Sequence, residues 1–324
     1  MNHRNPNHTQ TSSPINVGID MAKAKFDATW TGLDRVLTFE NNAQGRAQFI
    51  AKLATCNLRV MVVESTGGYE KRLMIEAMKA GFPVVRVNPG RVRNYANSEG
   101  VLAKTDHIDA RIIMQFAASK DLPIRPLPDE NALKLQEWVA REAQLTKTIV
   151  IEKNRLENFD DPALRQIVQA SITQLEEQRQ AVAAQIDAII ESSEAWAATA
   201  ELVQTVSGIG PKNARALVAH MPELGQVSRQ AIAALAGVAP YHNDSGKRKG
   251  RRRIAGGRAK VRSLLFMAAL TASQHNPPIR DLYQRLTAKG KCHKVAMTAC
   301  IRKLLTIVNA MVRDQKAWNP ATNT

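Results

Sequence analysis

Apolar and polar positions along the chain fall into three stretches of different rhythm. The first begins with Ile15-Asn16-Val17-Gly18-Ile19-Asp20, which reads as a buried strand running into an acid. Phe26 to Trp30 and Arg35 to Phe39 follow, with turn residues Thr31-Gly32 between them, a pattern that predicts an antiparallel meander. Helical spacing then covers residues 43–55, and Arg59 to Val63 is a β-branched run. Tyr69 to Ala80 reads as a helix ended by Gly81, and Pro83 to Val87 as another strand. This strand–helix–strand alternation predicts a parallel crossover and an α/β domain. A further helix is expected over 106–120, and Leu122-Pro123-Ile124-Arg125-Pro126-Leu127-Pro128 has the make-up of a semi-rigid linker.

The rhythm changes at Asp129. From there to Glu194, Leu, Ile, Val and Ala recur at helical spacing among Gln, Glu, Arg and Lys, interrupted once at Asn158-Phe159-Asp160-Asp161-Pro162. Two long helices forming a hairpin or coiled-coil arm are expected, with an apolar stripe that serves packing or dimerisation. The third stretch opens near Thr199. Leu202-Val203-Gln204-Thr205-Val206-Ser207-Gly208-Ile209-Gly210-Pro211-Lys212, followed by Ala214 to Ala219, resembles a helix-hairpin-helix module. As a bare turn these residues are an ordinary glycine-capped helix corner. As a module, Gly208, Gly210 and Lys212 would hold a phosphate on backbone N–H groups at a helix start, without reading sequence. The remainder alternates a loop, Pro240 to Gly257, with helices expected near 258–274 and 292–314. The domain division is therefore a disordered leader (1–14), an α/β domain (15–126), a helical coiled-coil arm (127–198) and a mainly α carboxy-terminal domain (199–324).

Charge changes this picture more than size does. The 324 residues suffice for two domains, and a hydrophobic fraction of 44% excludes a wholly disordered basic chain. The longest apolar run, Leu264 to Leu270, is far short of the ~20 residues of a membrane span, so no membrane partner is expected. The first fourteen residues lack the apolar core of a signal peptide. Cys56, Cys292 and Cys300 fit neither a disulfide framework nor a zinc ribbon, which points to a reducing cytoplasm. The formal charge is +16. Between Gly237 and Lys303 stand sixteen Lys and Arg against Asp244 and Asp281 alone, so +14 of that surplus lies in one internal segment. A polyanion, and nucleic acid before a membrane surface, is the expected partner. An aromatic fraction of 5% argues against stacking platforms for single strands.

Four acids draw attention together. Asp20 ends the first strand, Glu64 ends Val60-Met61-Val62-Val63, and Asp106 and Asp109 begin the helix after Lys104-Thr105. Singly they read as a turn residue, a solvated strand end and helix caps. Together they suit a divalent cation, because open α/β sheets build sites at strand carboxyl ends and hard cations take oxygen ligands. A pair of such ions stabilises attacking and leaving oxygens in phosphoryl transfer. A meander, a crossover and acids on the first and fourth strands and a late helix describe the ribonuclease-H superfold. No G-x-x-x-x-G-K-[ST] loop is present, and Cys292-His293 lacks partner ligands at zinc spacing.

Gly18-Ile19-Asp20-Met21-Ala22-Lys23, Glu64-Ser65-Thr66-Gly67-Gly68-Tyr69, Val87-Asn88-Pro89 and Lys104-Thr105-Asp106-His107-Ile108-Asp109-Ala110 resemble, in this order, the DEDD transposases of insertion sequence family 110. The resemblance continues through Gly208-Ile209-Gly210, Gly237-Val238-Ala239-Pro240 and Asp244-Ser245-Gly246. It implies a RuvC-like amino-terminal domain in which Asp20, Glu64, Asp106 and Asp109 hold Mg2+, as two ions, with Mn2+ as a substitute. It also implies a serine nucleophile at Ser245 that forms a covalent DNA intermediate, activated by the acidic site of another subunit. From the residues alone, Ser245-Gly246 is as readily a plain turn in a cationic loop. Lys247, Arg248, Lys249, Arg251, Arg252, Arg253, Arg258, Lys260 and Arg262 are expected to hold phosphate backbones. His242 in the same loop is a weaker acid/base candidate. The family further implies an RNA-guided DNA recombinase in the bacterial cytoplasm, at the nucleoid when acting. Its partners would be double-stranded donor and target DNA, a noncoding bridge RNA, and further copies of the chain as a dimer and a synaptic tetramer. Two other readings stay open: a resolvase that uses the acids only, and a non-catalytic nucleic-acid-binding protein.

Overall fold

The computed structural model describes residues 13–101, 106–124, 130–241, 244, 250 and 252–320, with side chains from 109 onward in the second of these stretches. The chain forms two compact units, Met1–Pro128 and Asp129–Thr324.

The first unit is a five-stranded sheet in the order β3-β2-β1-β4-β5. Strands β1 (Ile15–Met21), β2 (Lys25–Trp30) and β3 (Leu37–Glu40) form the antiparallel meander, and β4 (Leu58–Glu64) and β5 (Val84–Val87) continue in parallel from β1. Strand periodicity sorts the side chains between the two faces. Val17, Ile19, Met21, Phe26, Met61 and Val63 pack on one side against Phe49 and Leu53 of α1 (Ala43–Leu53) and Leu73 and Ala77 of α2 (Lys71–Lys79). Phe26, Phe39 and Phe49 meet there with ring centroids 5.2–5.4 Å apart. Each such buried side chain contributes roughly 1.5–3 kcal/mol. On the other face Val60, Val62 and Val87 pack against α3 (Pro89–Ser98) and α4 (Asp106–Ser119) through Val92, Ala96, Ile113 and Phe116. This is a mixed α/β sheet consistent with an RNase H-like domain. Helix α3 was not expected, although Asn88 caps it by accepting from Gly90 N at 2.8 Å and Pro89 starts it.

The second unit is helical. Helices α5 (Glu130–Leu156) and α6 (Pro162–Glu191) pack along one another. Asp161 makes the sharp corner between them possible, accepting from Ala163 N and Leu164 N at 2.8 and 3.0 Å. Arg165 closes it from the other side, donating to the carbonyls of Leu156 and Phe159 at 2.8 Å. At its far end the pair is rooted by Leu135, Val139, Ile186 and Ile190 against Ala200, Ala216 and Ala219. These alanines belong to α7 (Glu194–Gln204) and α8 (Pro211–His220). The rest comprises α9 (Arg229–Leu235), a hairpin of β6 (Pro240–Tyr241) and β7 (Arg253–Ile254), α10 (Ala259–His275), α11 (Pro277–Ala288) and α12 (His293–Asp314). Helix α12 is long and apolar enough to cross a membrane by composition, with a mean hydropathy of 1.5, but 61% of that stretch is buried. Met297, Cys300, Ile301, Leu304, Leu305 and Val308 place it at the centre of this core. Helices α9 and α11 and the short hairpin within the expected loop were not anticipated.

Candidate functional site

The amino-terminal site is built on the polar face of β1. Asn16, Gly18 and Asp20 alternate with the apolar residues of the core and so point toward α4. Asn16 and Gly18 meet the helix differently. Asn16 Oδ1 accepts from Arg59 Nε at 2.7 Å, and the Arg59 guanidinium also donates to the carbonyl of Ala117 late in α4. A Cβ at Gly18 would lie 2.2 Å from Met114 N and 2.4 Å from Ala110 O, so the helix backbone rests directly on the strand. With Ala117 near Asn16 and Ala110 at Gly18, α4 runs opposite to β1 and brings its amino end toward Asp20. That end carries Asp109, one residue before the Gly18 contact, and Asp106 one turn earlier.

Glu64 arrives from β4. Ile19 is paired with Val63, so Asp20 and Glu64 sit side by side at the carboxyl ends of parallel strands, about 4.8 Å apart at the backbone. Glu64 shares the face of Val60 and Val62, the α4 side. Asp20, Glu64 and Asp109 are each half-buried. Three of the four expected acids thus converge on one end of the sheet, and the side chain of Asp106 lies outside the described residues. Among the described residues no three His, Cys, Asp or Glu side chains are close enough to hold a metal ion. The donor set is nevertheless all oxygen, which suits a hard divalent cation.

Two further carboxylates at this end were not singled out from sequence. Glu70, 1% exposed, accepts from Gly68 N at 2.9 Å and from Thr66 N and Oγ1 at 3.4 Å, and pairs with Arg86 at 3.4 Å. It therefore fixes the loop that leaves Glu64, with a Gly-Gly pair two residues upstream as the only local cue. Asp27, 3% exposed, is the direct cross-strand partner of Asp20. An acid within a strand, flanked by Phe26 and Ala28, was its only signal.

The carboxy-terminal candidates lie in the second unit. The turn between α7 and α8 carries Gly208 and Gly210, and the two glycines have different reasons to be there. Gly208, at φ +104°, lies against α10, where a Cβ would meet Ala272 Cβ at 2.7 Å and Ala268 O at 2.9 Å. Asn276 adds a hydrogen bond to the Ser207 carbonyl at 3.2 Å. Gly210 faces open space and starts α8, at the edge of a shallow cleft of about 560 Å³ lined by Ser207, Gly208, Asn213, Met267 and Thr271. Lys212 Nζ donates to Thr146 Oγ1 of α5 at 2.8 Å.

Strands β6 and β7 pair Tyr241 with Arg253 and thereby bring the two ends of the basic loop together. Inside it Asp244 Oδ1 accepts from Gly250 N at 3.0 Å. Ser245, with His242, Lys247, Arg248, Lys249 and Arg251, lies outside the described residues. The loop's base is tightly built. Arg258 grips Glu223 with two hydrogen bonds of 2.7 and 2.5 Å and the His220 carbonyl at 2.8 Å. Arg262 donates to the carbonyls of Gly237 and Gly256 at 3.3 and 3.0 Å. These two arginines brace the hairpin, whereas Arg252, Arg253 and Lys260 are exposed beside it.

Two family models match the chain. One, described as a transposase (DEDD, IS110 type), covers residues 17–169, and the other, the transposase IS116/IS110/IS902 family, covers residues 200–284. The chain is 29% identical to the pilin gene-inverting proteins of Moraxella lacunata and Moraxella bovis, over 94% of its own length and 97% of theirs. It is 32% identical to an insertion element IS116 protein of Streptomyces clavuligerus over 124 residues, 38% of this chain and 31% of that one. The first family match contains Asp20, Glu64, Asp106 and Asp109, and the second contains the α7–α8 turn and the whole basic loop. The chain belongs to the IS110 family of transposases.

Proposed function

We propose that this transposase is an RNA-guided DNA recombinase that cleaves and rejoins donor and target DNA through a covalent serine intermediate. The observation that carries the reading is the convergence of Asp20, Glu64 and the amino end of α4 at one end of the sheet. In this reading Asp20, Glu64, Asp106 and Asp109 hold Mg2+, as two ions and replaceable by Mn2+. The bound cations stabilise charge on the phosphoryl oxygens and on the attacking and leaving oxygens. Full-length relatives named for inverting a pilin gene support strand exchange at two sites, which requires cutting and resealing two duplexes.

The chain's own groups divide the remaining work. Ser245 Oγ forms a bond to phosphorus as the bond from phosphorus to the deoxyribose oxygen breaks. The serine proton is taken up through the carboxylate cluster of another copy of the chain and ends on the departing sugar hydroxyl. Attack by the exchanged strand's hydroxyl reverses the step and frees the serine. One phosphodiester is traded for another, so no nucleotide is hydrolysed, in keeping with the missing phosphate-binding loop of ATPases. Lys247, Arg248, Lys249, Arg251, Arg252, Arg253 and Lys260 neutralise the backbone around the cut, and Arg258 and Arg262 hold the hairpin that presents them. The open Gly210 side of the α7–α8 turn acts as a helix-hairpin-helix contact to a neighbouring phosphate. The α5–α6 pair serves as a coiled-coil arm that joins copies into a dimer, and two dimers form the synapse. A bridge RNA reads donor and target by base pairing while the protein holds backbones, the division of labour seen in other guided effectors.

The test combines the full chain, copurified RNA, Mg2+ and end-labelled junction DNA. A protein–DNA adduct is expected from the native chain, none from Ser245→Ala, and neither adduct nor cleavage from Asp20→Asn. Cleavage without adduct that persists in Ser245→Ala would instead identify a metal-dependent resolvase. Recombination that survives ribonuclease treatment would remove the RNA from the mechanism.

A further inference from the structure

The acid row does not end at Asp20. Across the sheet, in register, stand Glu64 on β4, Asp20 on β1, Asp27 on β2 and Thr38 on β3. Residues directly opposite on neighbouring strands share a face, so Asp27 points to the α4 side with Asp20. It is 3% exposed, while Phe26 and Ala28 on either side belong to the core of the opposite face. A carboxylate set this deep, directly beside a second one, is costly unless hydrogen bonds and a cation compensate it. One hydrogen bond is visible: the Thr38 hydroxyl donates to Asp27 Oδ1 at 2.5 Å. That donor ties the carboxylate to β3.

We propose that Asp27 is an outer residue of the metal site, held by Thr38, whose negative charge lies behind Asp20 and strengthens the hold on the bound cation. This rests on the reading of Asp20 as a metal ligand. Asp27 is placed behind the liganding row, one strand farther from Glu64, where it acts on the cation through Asp20. Outer partners of liganding carboxylates raise metal affinity by roughly 10- to 100-fold. Without metal the same arrangement opposes two like charges across adjacent strands, which destabilises the sheet. A role at the metal and a structural role therefore predict opposite signs for one isosteric change.

The experiment is calorimetric titration of the full chain with Mn2+, alongside thermal melting of the metal-free protein, for the native chain, Asp27→Asn, Thr38→Val and Asp20→Asn. Asp27→Asn is expected to weaken Mn2+ binding by about 10- to 100-fold while the metal-free melting temperature holds or rises. Thr38→Val, which keeps the carboxylate but removes the Thr38 donor, is expected to weaken binding several-fold. Native affinity in Asp27→Asn, or a fall in melting temperature without a fall in affinity, overturns the proposal. If Asp27→Asn does not fold, Thr38→Val decides it, and native affinity there overturns it. Should Asp20→Asn bind Mn2+ as the native chain does, the metal reading of Asp20 fails and this inference with it. Weakened binding in Asp20→Asn with native binding in Asp27→Asn removes this inference alone.

Discussion

Substituting Gly18 by alanine adds a single methyl group, and the structure places it inside the backbone of α4. At 2.2 Å from Met114 N and 2.4 Å from Ala110 O, the new carbon overlaps main-chain atoms that no rotamer change can move aside. Restoring ordinary contact needs a retreat of about 1 Å by the helix. Overpacking of this kind costs about 1–3 kcal/mol, and the upper end applies where the obstruction is backbone. For a unit of this size that lowers the melting temperature by roughly 3–10 °C. If the acids act as proposed, the effect on chemistry is larger than on folding, because α4 carries Asp106 and Asp109 at the end that faces Asp20. A displacement of about 1 Å at a reacting centre costs on the order of 100-fold in rate. The assay pairs calorimetry of Gly18→Ala with cleavage of junction DNA at saturating Mg2+. A variant that melts with the native chain and cleaves within about twofold of it would refute the claim that backbone contact at Gly18 sets the position of α4.

Three other outcomes follow from the same geometry. Glu70→Ala leaves the Gly68 and Thr66 amides without their acceptor; it should cost about 2 kcal/mol in urea denaturation and slow cleavage, since Glu64 enters that loop. Arg258→Ala should lower the melting temperature through loss of the Glu223 pair, whereas Arg252→Ala and Arg253→Ala should leave it unchanged. Each of the latter two should instead reduce the slope of log affinity against log salt for duplex DNA by about 1 in anisotropy titrations. Iodoacetamide at pH 8 should modify exposed Cys292 and spare Cys300, whose thiol burial pushes up to about 11; mass spectrometry of the native chain reads this directly.

The elements legible in the sequence are those whose signal is local. The alternation in residues 15–20 and the β-branched run ending at Val63 gave the parallel pair, and the long periodic stretch after Asp129 gave α5 and α6 to within a few residues. Gly18 was visible as part of a motif, but its reason, a helix backbone arriving from nearly a hundred residues away, is a tertiary contact. Asp27 and Glu70 were passed over for a related reason. A buried acid is recognisable only once its strand partner or the loop amides it binds are in place. Helix α11 opens on Pro277 and Pro278, positions a helix start tolerates, and Asn276 both ends α10 and starts α11, a junction with no periodic signal of its own. Arg258 and Arg262 looked like more of the same cationic run, and tertiary partners such as Glu223 and the Gly237 carbonyl set them apart from their exposed neighbours.

Strand β1 has a consequence for how this protein tolerates change. Its seven residues carry two interleaved messages, one in Ile15, Val17, Ile19 and Met21 and the other in Asn16, Gly18 and Asp20. The first is filtered by whether the chain folds, the second by whether α4 and the acids at its amino end find their places. Adding or deleting one residue within the strand would exchange the two sets, so that aliphatics met the helix and an acid met the phenylalanines. Evolutionary drift along β1 should therefore proceed by substitution and never by length, and its tolerance profile should alternate residue by residue between abundance and activity.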